Sequence, residues 1–250
     1  MANESAATLR VNGAGVKLHA REWNSDAEGL PIVLLHGITG SGADWGMPVR
    51  ALGSRRAIAL DARGHGASDW DPEEGYGADQ HFADFAAALD DLGIQRCVLA
   101  GFSMGGTVAI LAAACLPERI AGVAVIDSYP HPAMSKGSTQ IAHWISTSDG
   151  SGRTFDPAIA RQFRVMLAEN QANRLDLRSM WEAIACPALV IRGEESHVLT
   201  EDLAAEMVES QPLARLVTIP GVGHGIPRFK SRELGAALAE FVASFETPRG

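Results

Sequence analysis

Residues 97–106, Cys-Val-Leu-Ala-Gly-Phe-Ser-Met-Gly-Gly, join an apolar run of strand character to a segment that favours a helix. Gly101 and Gly105 flank Ser103 in this junction, which gives a Gly-x-Ser-x-Gly pattern. A turn this tight leaves no room for a β-carbon at either glycine. A plain Gly-rich turn after a buried strand has the same pattern, so its meaning depends on the rest of the chain. We predict a strained strand–turn–helix unit that lifts the Ser103 hydroxyl above the edge of a sheet.

Short apolar runs alternate with helical segments along the chain, which indicates an α/β fold with a mostly parallel, doubly wound sheet. A β-hairpin is predicted over 8–23. The length of 250 residues and the hydrophobic content of 46% suit one core of this class. The predicted strands cover residues 31–35, 56–60, 97–100, 122–126, 187–193 and 215–219, and the predicted helices cover 79–92, 103–116 and 232–245.

The alternation of predicted strands and helices stops between residues 129 and 184. Tyr-Pro-His-Pro at 129–132 interrupts the chain, and short amphipathic helices follow with no predicted strand between them. In doubly wound sheets ligands bind at the carboxyl ends of the strands, which an insertion at this point can cover. We therefore predict an α/β core over 1–128 and 185–250 and a helical cap insertion over 129–184. The candidate cap helices are 141–145, 157–169 and 177–184.

Composition narrows the range of partners. The formal net charge is −9 and no Lys/Arg cluster of useful length occurs, which speaks against a nucleic-acid partner. The first residues lack the basic and apolar parts of a signal peptide, and no run approaches the ~18 apolar residues of a membrane span. Cys97, Cys115 and Cys186 are predicted to be buried free thiols in a reducing compartment. These features predict a cytoplasmic protein with no membrane partner.

Cofactor fingerprints are also missing from the sequence. It contains no phosphate-cradling loop with a Walker-type lysine and no metal-ligand cluster. We expect no cofactor and no metal, and a small molecule as the substrate. The sequence indicates no oligomeric state.

Acyl transfer needs a nucleophile, a base, an acid that orients the base, and donors for the oxyanion. Ser103 is the predicted nucleophile, and His224 in Gly-Val-Gly-His-Gly is the predicted base, since it follows a late strand and precedes the last helix. The amide of Met104 and that of Ile38 are the predicted oxyanion donors. His36 is interpreted as a packing and hydrogen-bonding residue rather than a catalytic one.

These motifs make the chain resemble the α/β-hydrolase superfamily of serine hydrolases. The resemblance rests on the His-Gly loop at 36–40, the Asp-x-Arg-Gly-x-Gly-x-Ser turn at 61–68, the Ser103 turn, and Gly-x-Gly-His at 221–224. They occur in the family's order and extend over most of the chain. The resemblance implies the α/β-hydrolase fold, and it implies structural rather than catalytic roles for Asp61 and Arg63.

The acid of the triad departs from the common pattern of that family. Most members carry an aspartate just after the strand equivalent to 189–192, where this chain has Ser196 or His197, and neither side chain is an anion. Glu194 and Glu195 are one alternative. Asp127, at the end of the preceding predicted strand, is the other, and it resembles the arrangement in a minority of members that includes some lactonases and hydrolases of acetamidomethylene-succinate. We favour Asp127.

The resemblance implies a serine hydrolase that cleaves a small carboxylic ester or lactone. Carbon–carbon bond hydrolases, amide hydrolases, perhydrolases and cofactor-free dioxygenases of the same fold are alternatives, as is a receptor-like protein with residual turnover. The insertion and its hinge are expected to supply most of the substrate walls. The candidate wall residues are Tyr129, His131, His143, Trp144, Phe163, Met166, Trp181 and His197.

Overall fold

A computed structural model describes residues 6–129, 155–168 and 175–245, apart from the side chains of Arg164 and of residues 166–168. In these residues eight strands form one sheet in the order β1-β2-β4-β3-β5-β6-β7-β8. The pairs β1–β2 and β2–β4 are antiparallel and all the others are parallel. The predicted α/β class with a mostly parallel sheet is therefore confirmed. The strands are β1 Ala7–Asn12, β2 Lys17–Trp23, β3 Ile32–Leu35, β4 Ala57–Leu60, β5 Cys97–Phe102, β6 Ile120–Ile126, β7 Ala188–Gly193 and β8 Ala214–Ile219.

Helices follow most of the parallel strands. They are α1 Ala78–Asp91, α2 Met104–Cys115, α3 Pro157–Ala168, α4 Leu177–Glu182, α5 Glu201–Ser210, α6 Ile226–Phe229 and α7 Ser231–Ala243, with 3-10 helices at Gly42–Trp45 and Pro48–Leu52. The predicted helix at 141–145 lies outside the described residues. The sequence analysis did not identify α5, although Thr200 caps its amino end by accepting a hydrogen bond from the Leu203 amide.

Two apolar cores lie on opposite faces of the sheet, because alternate residues of each strand point to opposite sides. In β3, Val33 and Leu35 pack into the core beneath α1 and α2, whereas Ile32 and Leu34 pack into the core beneath α7. Trp45, from the first 3-10 helix, is fully buried in the second core. With both faces covered, the functional groups gather at the carboxyl edge of the sheet.

The cysteines only partly match their prediction. All three are free, and Cys97 and Cys186 are buried as expected. Burial raises the pKa of the Cys97 thiol to about 12. Cys115 is exposed, which corrects its prediction, because the last turn of α2 carries it out of the apolar core.

No helix in the described ranges has the length and apolar character needed to cross a membrane.

Candidate active site

Ser103 occupies a strained turn between β5 and α2. Its backbone has φ of 53° and ψ of −114°, a left-handed conformation that costs a non-glycine residue about 1–3 kcal/mol. The turn is closed by contacts that only glycine permits. A β-carbon on Gly101 would lie 2.0 Å from the carbonyl oxygen of Gly105, and one on Gly105 would lie 2.4 Å from that of Leu35. The sequence pattern thus corresponds to a steric requirement of the backbone.

His224 lies next to Ser103, in the loop between β8 and α6. Its Nε2 is 3.1 Å from the Ser103 hydroxyl oxygen, and its Nδ1 is 2.7 Å from Oδ2 of Asp127. The ring also packs against Phe102, with 4.9 Å between the ring centroids. Carboxylate, imidazole and hydroxyl therefore form a continuous hydrogen-bonded line at the carboxyl edge of the sheet.

Asp127 follows the last residue of β6 and its side chain is completely buried. Its backbone has φ of 46°, and its amide donates to the carbonyl oxygen of Ile191 in β7 at 2.7 Å. Among the described residues, two donors besides His224 reach the carboxylate. The Gly193 amide bonds Oδ1 at 3.2 Å, and the Ser196 hydroxyl bonds Oδ2 at 2.6 Å.

The two alternative acids lie elsewhere. Glu194 and Glu195 are both exposed, and Oε2 of Glu194 accepts the Gly221 amide at 3.0 Å. Among the described residues, neither glutamate hydrogen-bonds to His224. Of the three candidate carboxylates, Asp127 is the one in contact with the imidazole.

The loop after β3 is held against the Ser103 turn by His36. The Ala62 amide donates to Nε2 of His36 at 2.9 Å, so Nδ1 carries the hydrogen and donates to the carbonyl oxygen of Gly37 at 2.7 Å. The carbonyl oxygen of His36 accepts the Gly105 amide at 3.2 Å. In the described part of the chain, the amides of Ile38 and Met104 donate to no protein group. Both amides are thus available to a ligand oxygen.

A group of buried histidines lies behind this loop. The ring centroids of His36 and His65 are 5.0 Å apart, and those of His65 and His81 are 6.3 Å apart. Burial lowers the pKa of all three, and for His81 to about 3. These imidazoles are therefore neutral packing groups at physiological pH, which agrees with the interpretation of His36.

Asp61 and Arg63 hold loops in place. Asp61 accepts the amides of Gly42 and Ala67 and contacts the His19 ring at 2.8 Å. The Arg63 guanidinium forms a bidentate ion pair with Asp84 on α1, at 2.6 and 2.8 Å. This ion pair stabilises the buried guanidinium. The hydrogen bond to Asp84 raises the pKa of Arg63.

The predicted wall residues lie in different environments. Trp181 is 1% exposed and donates its indole N–H to the carbonyl oxygen of Met207, so it is a core residue rather than part of the substrate wall. Tyr129 is half-buried, and its hydroxyl donates to Glu206 on α5 at 2.7 Å. Phe163 is half-buried on α3 and His197 is exposed. His131, His143 and Trp144 lie outside the described residues, as does the side chain of Met166.

Sequence reasoning missed Ser196 and the Gly193 amide as partners of the acid. The only available signal was the position of Ser196 in the loop after β7, where the family pattern led us to look for the acid. Within the described ranges, no group of three or more His, Cys, Asp or Glu side chains could hold a metal ion.

Comparisons with known proteins bear on the family and the fold of this chain. The sequence model of the alpha/beta hydrolase family matches residues 32–238. The sn-1-specific diacylglycerol lipase of Xenopus laevis is 27% identical over 261 residues, covering 89% of this chain and 82% of the lipase. The 2-(acetamidomethylene)succinate hydrolase of Mesorhizobium japonicum is 26% identical over 274 residues, covering 97% of each chain. An alpha/beta hydrolase crystal structure from Novosphingobium aromaticivorans superposes with a TM-score of 0.78 at 26% identity, covering 94% of this chain and 98% of that one.

Proposed function

This chain belongs to the alpha/beta hydrolase family and is an enzyme, and we propose that it is a serine hydrolase that cleaves a small carboxylic ester or lactone through an acyl-enzyme. The observation that carries the proposal is the hydrogen-bonded line from Asp127 through His224 to the strained Ser103. A surface serine and a loop histidine have no need of a buried carboxylate behind them. An activated nucleophile does, because its base must hold one tautomer.

The first half of the reaction transfers the acyl group to the protein. Nε2 of His224 takes the proton from the Ser103 hydroxyl as Oγ attacks the carbonyl carbon. Asp127 accepts a hydrogen bond from Nδ1 and stabilises the imidazolium that forms. The carbonyl oxygen becomes an oxyanion between the amides of Ile38 and Met104. When the carbon–oxygen bond breaks, His224 returns its proton to the departing alkoxide, which for a lactone stays attached to the acyl group.

The second half releases the acid. A water molecule gives a proton to Nε2 of His224 and attacks the acyl carbon from the side vacated by the alcohol. The second tetrahedral intermediate uses the same two amides. Its collapse returns the proton to Ser103 Oγ and frees the carboxylic acid, so the enzyme regains its starting state.

The proposed substrate class follows from the site rather than from the names of the relatives. Those names describe a diacylglycerol lipase and a 2-(acetamidomethylene)succinate hydrolase, which differ in substrate. Cleavage of an ester or lactone needs only the nucleophile, base and oxyanion donors described above. The alkoxide is a good leaving group when His224 protonates it as the carbon–oxygen bond breaks. Amide or carbon–carbon bond hydrolysis would use the same Ser103–His224 pair on a poorer leaving group.

The proposal is tested by turnover and labelling together. Wild-type protein should release p-nitrophenol from p-nitrophenyl acetate over many turnovers, open simple lactones, and react with a fluorophosphonate probe at Ser103. Ser103→Ala should abolish labelling and lower turnover to the background rate. Release that stops after one equivalent would indicate the receptor-like alternative. Labelling without ester or lactone turnover, but with cleavage of amides or activated ketones, would refute the substrate class while leaving the nucleophile intact.

A further inference from the structure

We propose that Ser196 is a positioning residue for the triad, which fixes the carboxylate of Asp127 against His224. The inference depends on the proposed function, because it assigns Ser196 a task within that site. Ser196 is 5% exposed and lies in the turn after β7, where its amide donates to the carbonyl oxygen of Gly193. It acts through Asp127 and not through a contact with the substrate.

The direction of the hydrogen bond between Ser196 and Asp127 follows from the neighbours of the hydroxyl. The amides of Val198 and Leu199 approach Ser196 Oγ at 3.1 and 3.2 Å. Backbone amides can only donate, so Oγ uses its lone pairs as their acceptor. The single hydroxyl hydrogen is left for Oδ2 of Asp127 at 2.6 Å. Ser196 is therefore a donor to the carboxylate.

This donor helps to fix the orientation of the Asp127 side chain. Oδ1 faces the Gly193 amide, which is a donor, and Oδ2 faces the donated hydroxyl of Ser196. Because each oxygen accepts a hydrogen bond from the end of β7 or the turn after it, the carboxylate cannot rotate without losing one of them. Held in this orientation, Oδ2 is the acceptor for the hydrogen on Nδ1 of His224 in the proposed triad. Nε2 is left free to accept from Ser103, which is the tautomer that a general base requires.

The same geometry explains why a serine, and not an acid, stands after β7. Strands β6 and β7 are neighbours, so their following loops meet at one corner of the sheet. A carboxylate at position 196 would place a second negative charge beside the buried Asp127, and like charges this close oppose ionisation of both. Arg192 helps to hold this loop in shape, because its guanidinium bonds the carbonyl oxygens of Glu194 and Leu199.

Variants of Ser196 test the proposal, with a control in the same loop. Ser196→Ala should lower kcat/KM about 10- to 100-fold, as expected for one lost hydrogen bond to a charged group. The loss should fall on kcat and not on KM. Ser196→Thr, which retains the hydroxyl, should recover most of the rate.

Thr200→Ala is the matched control, because Thr200 caps α5 from the same loop through the Leu203 amide and has no bond to Asp127. It should lower the melting temperature without lowering kcat. Ser196→Cys is a near-isosteric second variant with a weak donor, and it should show the same changes as alanine to a smaller extent. If alanine prevents folding, the cysteine and threonine variants still carry the comparison.

A spectroscopic measurement separates this inference from the proposed function. The proton on Nδ1 of His224 should give a downfield resonance that changes in Ser196→Ala and Ser196→Cys but not in Thr200→Ala. Absence of ester or lactone turnover in the wild type would refute the proposed function, and the resonance would still report on Ser196. If Ser196→Ala matches Thr200→Ala in resonance and rate, Ser196 is a loop residue only and the inference is wrong.

Discussion

Replacing Asp127 by asparagine tests the assignment of the acid most directly. Asparagine has nearly the same shape and tolerates the positive φ of 46° found at this position. Its oxygen is expected to face His224 and Ser196, since two donors converge there, and its NH₂ group then faces the Gly193 amide. The variant should fold, with the imidazole still in place but with its counter-charge removed.

The size of the effect follows from the distance between His224 and Asp127. A full charge on each at 2.7 Å interacts by about 6 kcal/mol at an effective dielectric constant of about 20. That stabilisation appears only when His224 is protonated in the transition state, so its loss lowers kcat by about 10⁴-fold. An asparagine that instead turns its NH₂ group toward His224 would favour the wrong tautomer, with a loss of similar size.

Steady-state hydrolysis of p-nitrophenyl acetate, with thermal melting as the control for folding, measures this loss. Glu194→Gln and Glu195→Gln are the matched variants, because each removes one charge from the exposed loop that neighbours the site. Both should stay within about threefold of wild type, as expected for surface charges in high dielectric. A glutamine variant with a loss of about 10⁴-fold, beside an active Asp127→Asn, would show that the acid is wrongly assigned.

Gly101→Ala should lower the free energy of unfolding in urea by more than about 3 kcal/mol, because its β-carbon would lie 2.0 Å from a backbone oxygen of Gly105. Ile38→Ala should retain kcat within a few-fold, whereas Ile38→Pro, which removes the proposed oxyanion donor, should lower it about 10²- to 10³-fold with little change in melting temperature. His81→Leu should flatten the acid side of the stability curve. Burial lowers the pKa of His81 to about 3, so between about pH 6.5 and that value the unfolded chain binds a proton that the native chain does not. Stability then falls with decreasing pH, by up to about 1.4 kcal/mol per unit. Urea unfolding at pH 7 and pH 5 measures the slope, and equal slopes in both proteins would contradict this explanation.

The identity of the triad acid could not be decided from the sequence alone. Asp127 and Ser196 are 69 positions apart, and both lie beside His224 because β6 and β7 are neighbours in the sheet. An aspartate at the end of a strand and a serine in a turn are each common as local caps. Only their meeting at one carboxylate oxygen gives the pair a functional meaning.

The sequence by itself determined the features that depend on neighbouring residues. The apolar runs specify the strands, and the pattern around Ser103 specifies a turn that no larger residue than glycine can close. The chain order of Ser103 and His224 follows from these local signals. Helix α5 could also have been predicted from neighbouring residues, since Thr200 caps its amino end.

Only the tertiary structure decided which groups meet. It brought Asp127 to His224 across 97 positions of chain, left Glu194 and Glu195 in solvent, and buried Trp181 in the core instead of the substrate wall. Local patterns constrain φ and ψ and the face that a residue presents. A hydrogen bond, however, requires two atoms to lie within about 3 Å of each other, and strand order and the path of each loop set that distance.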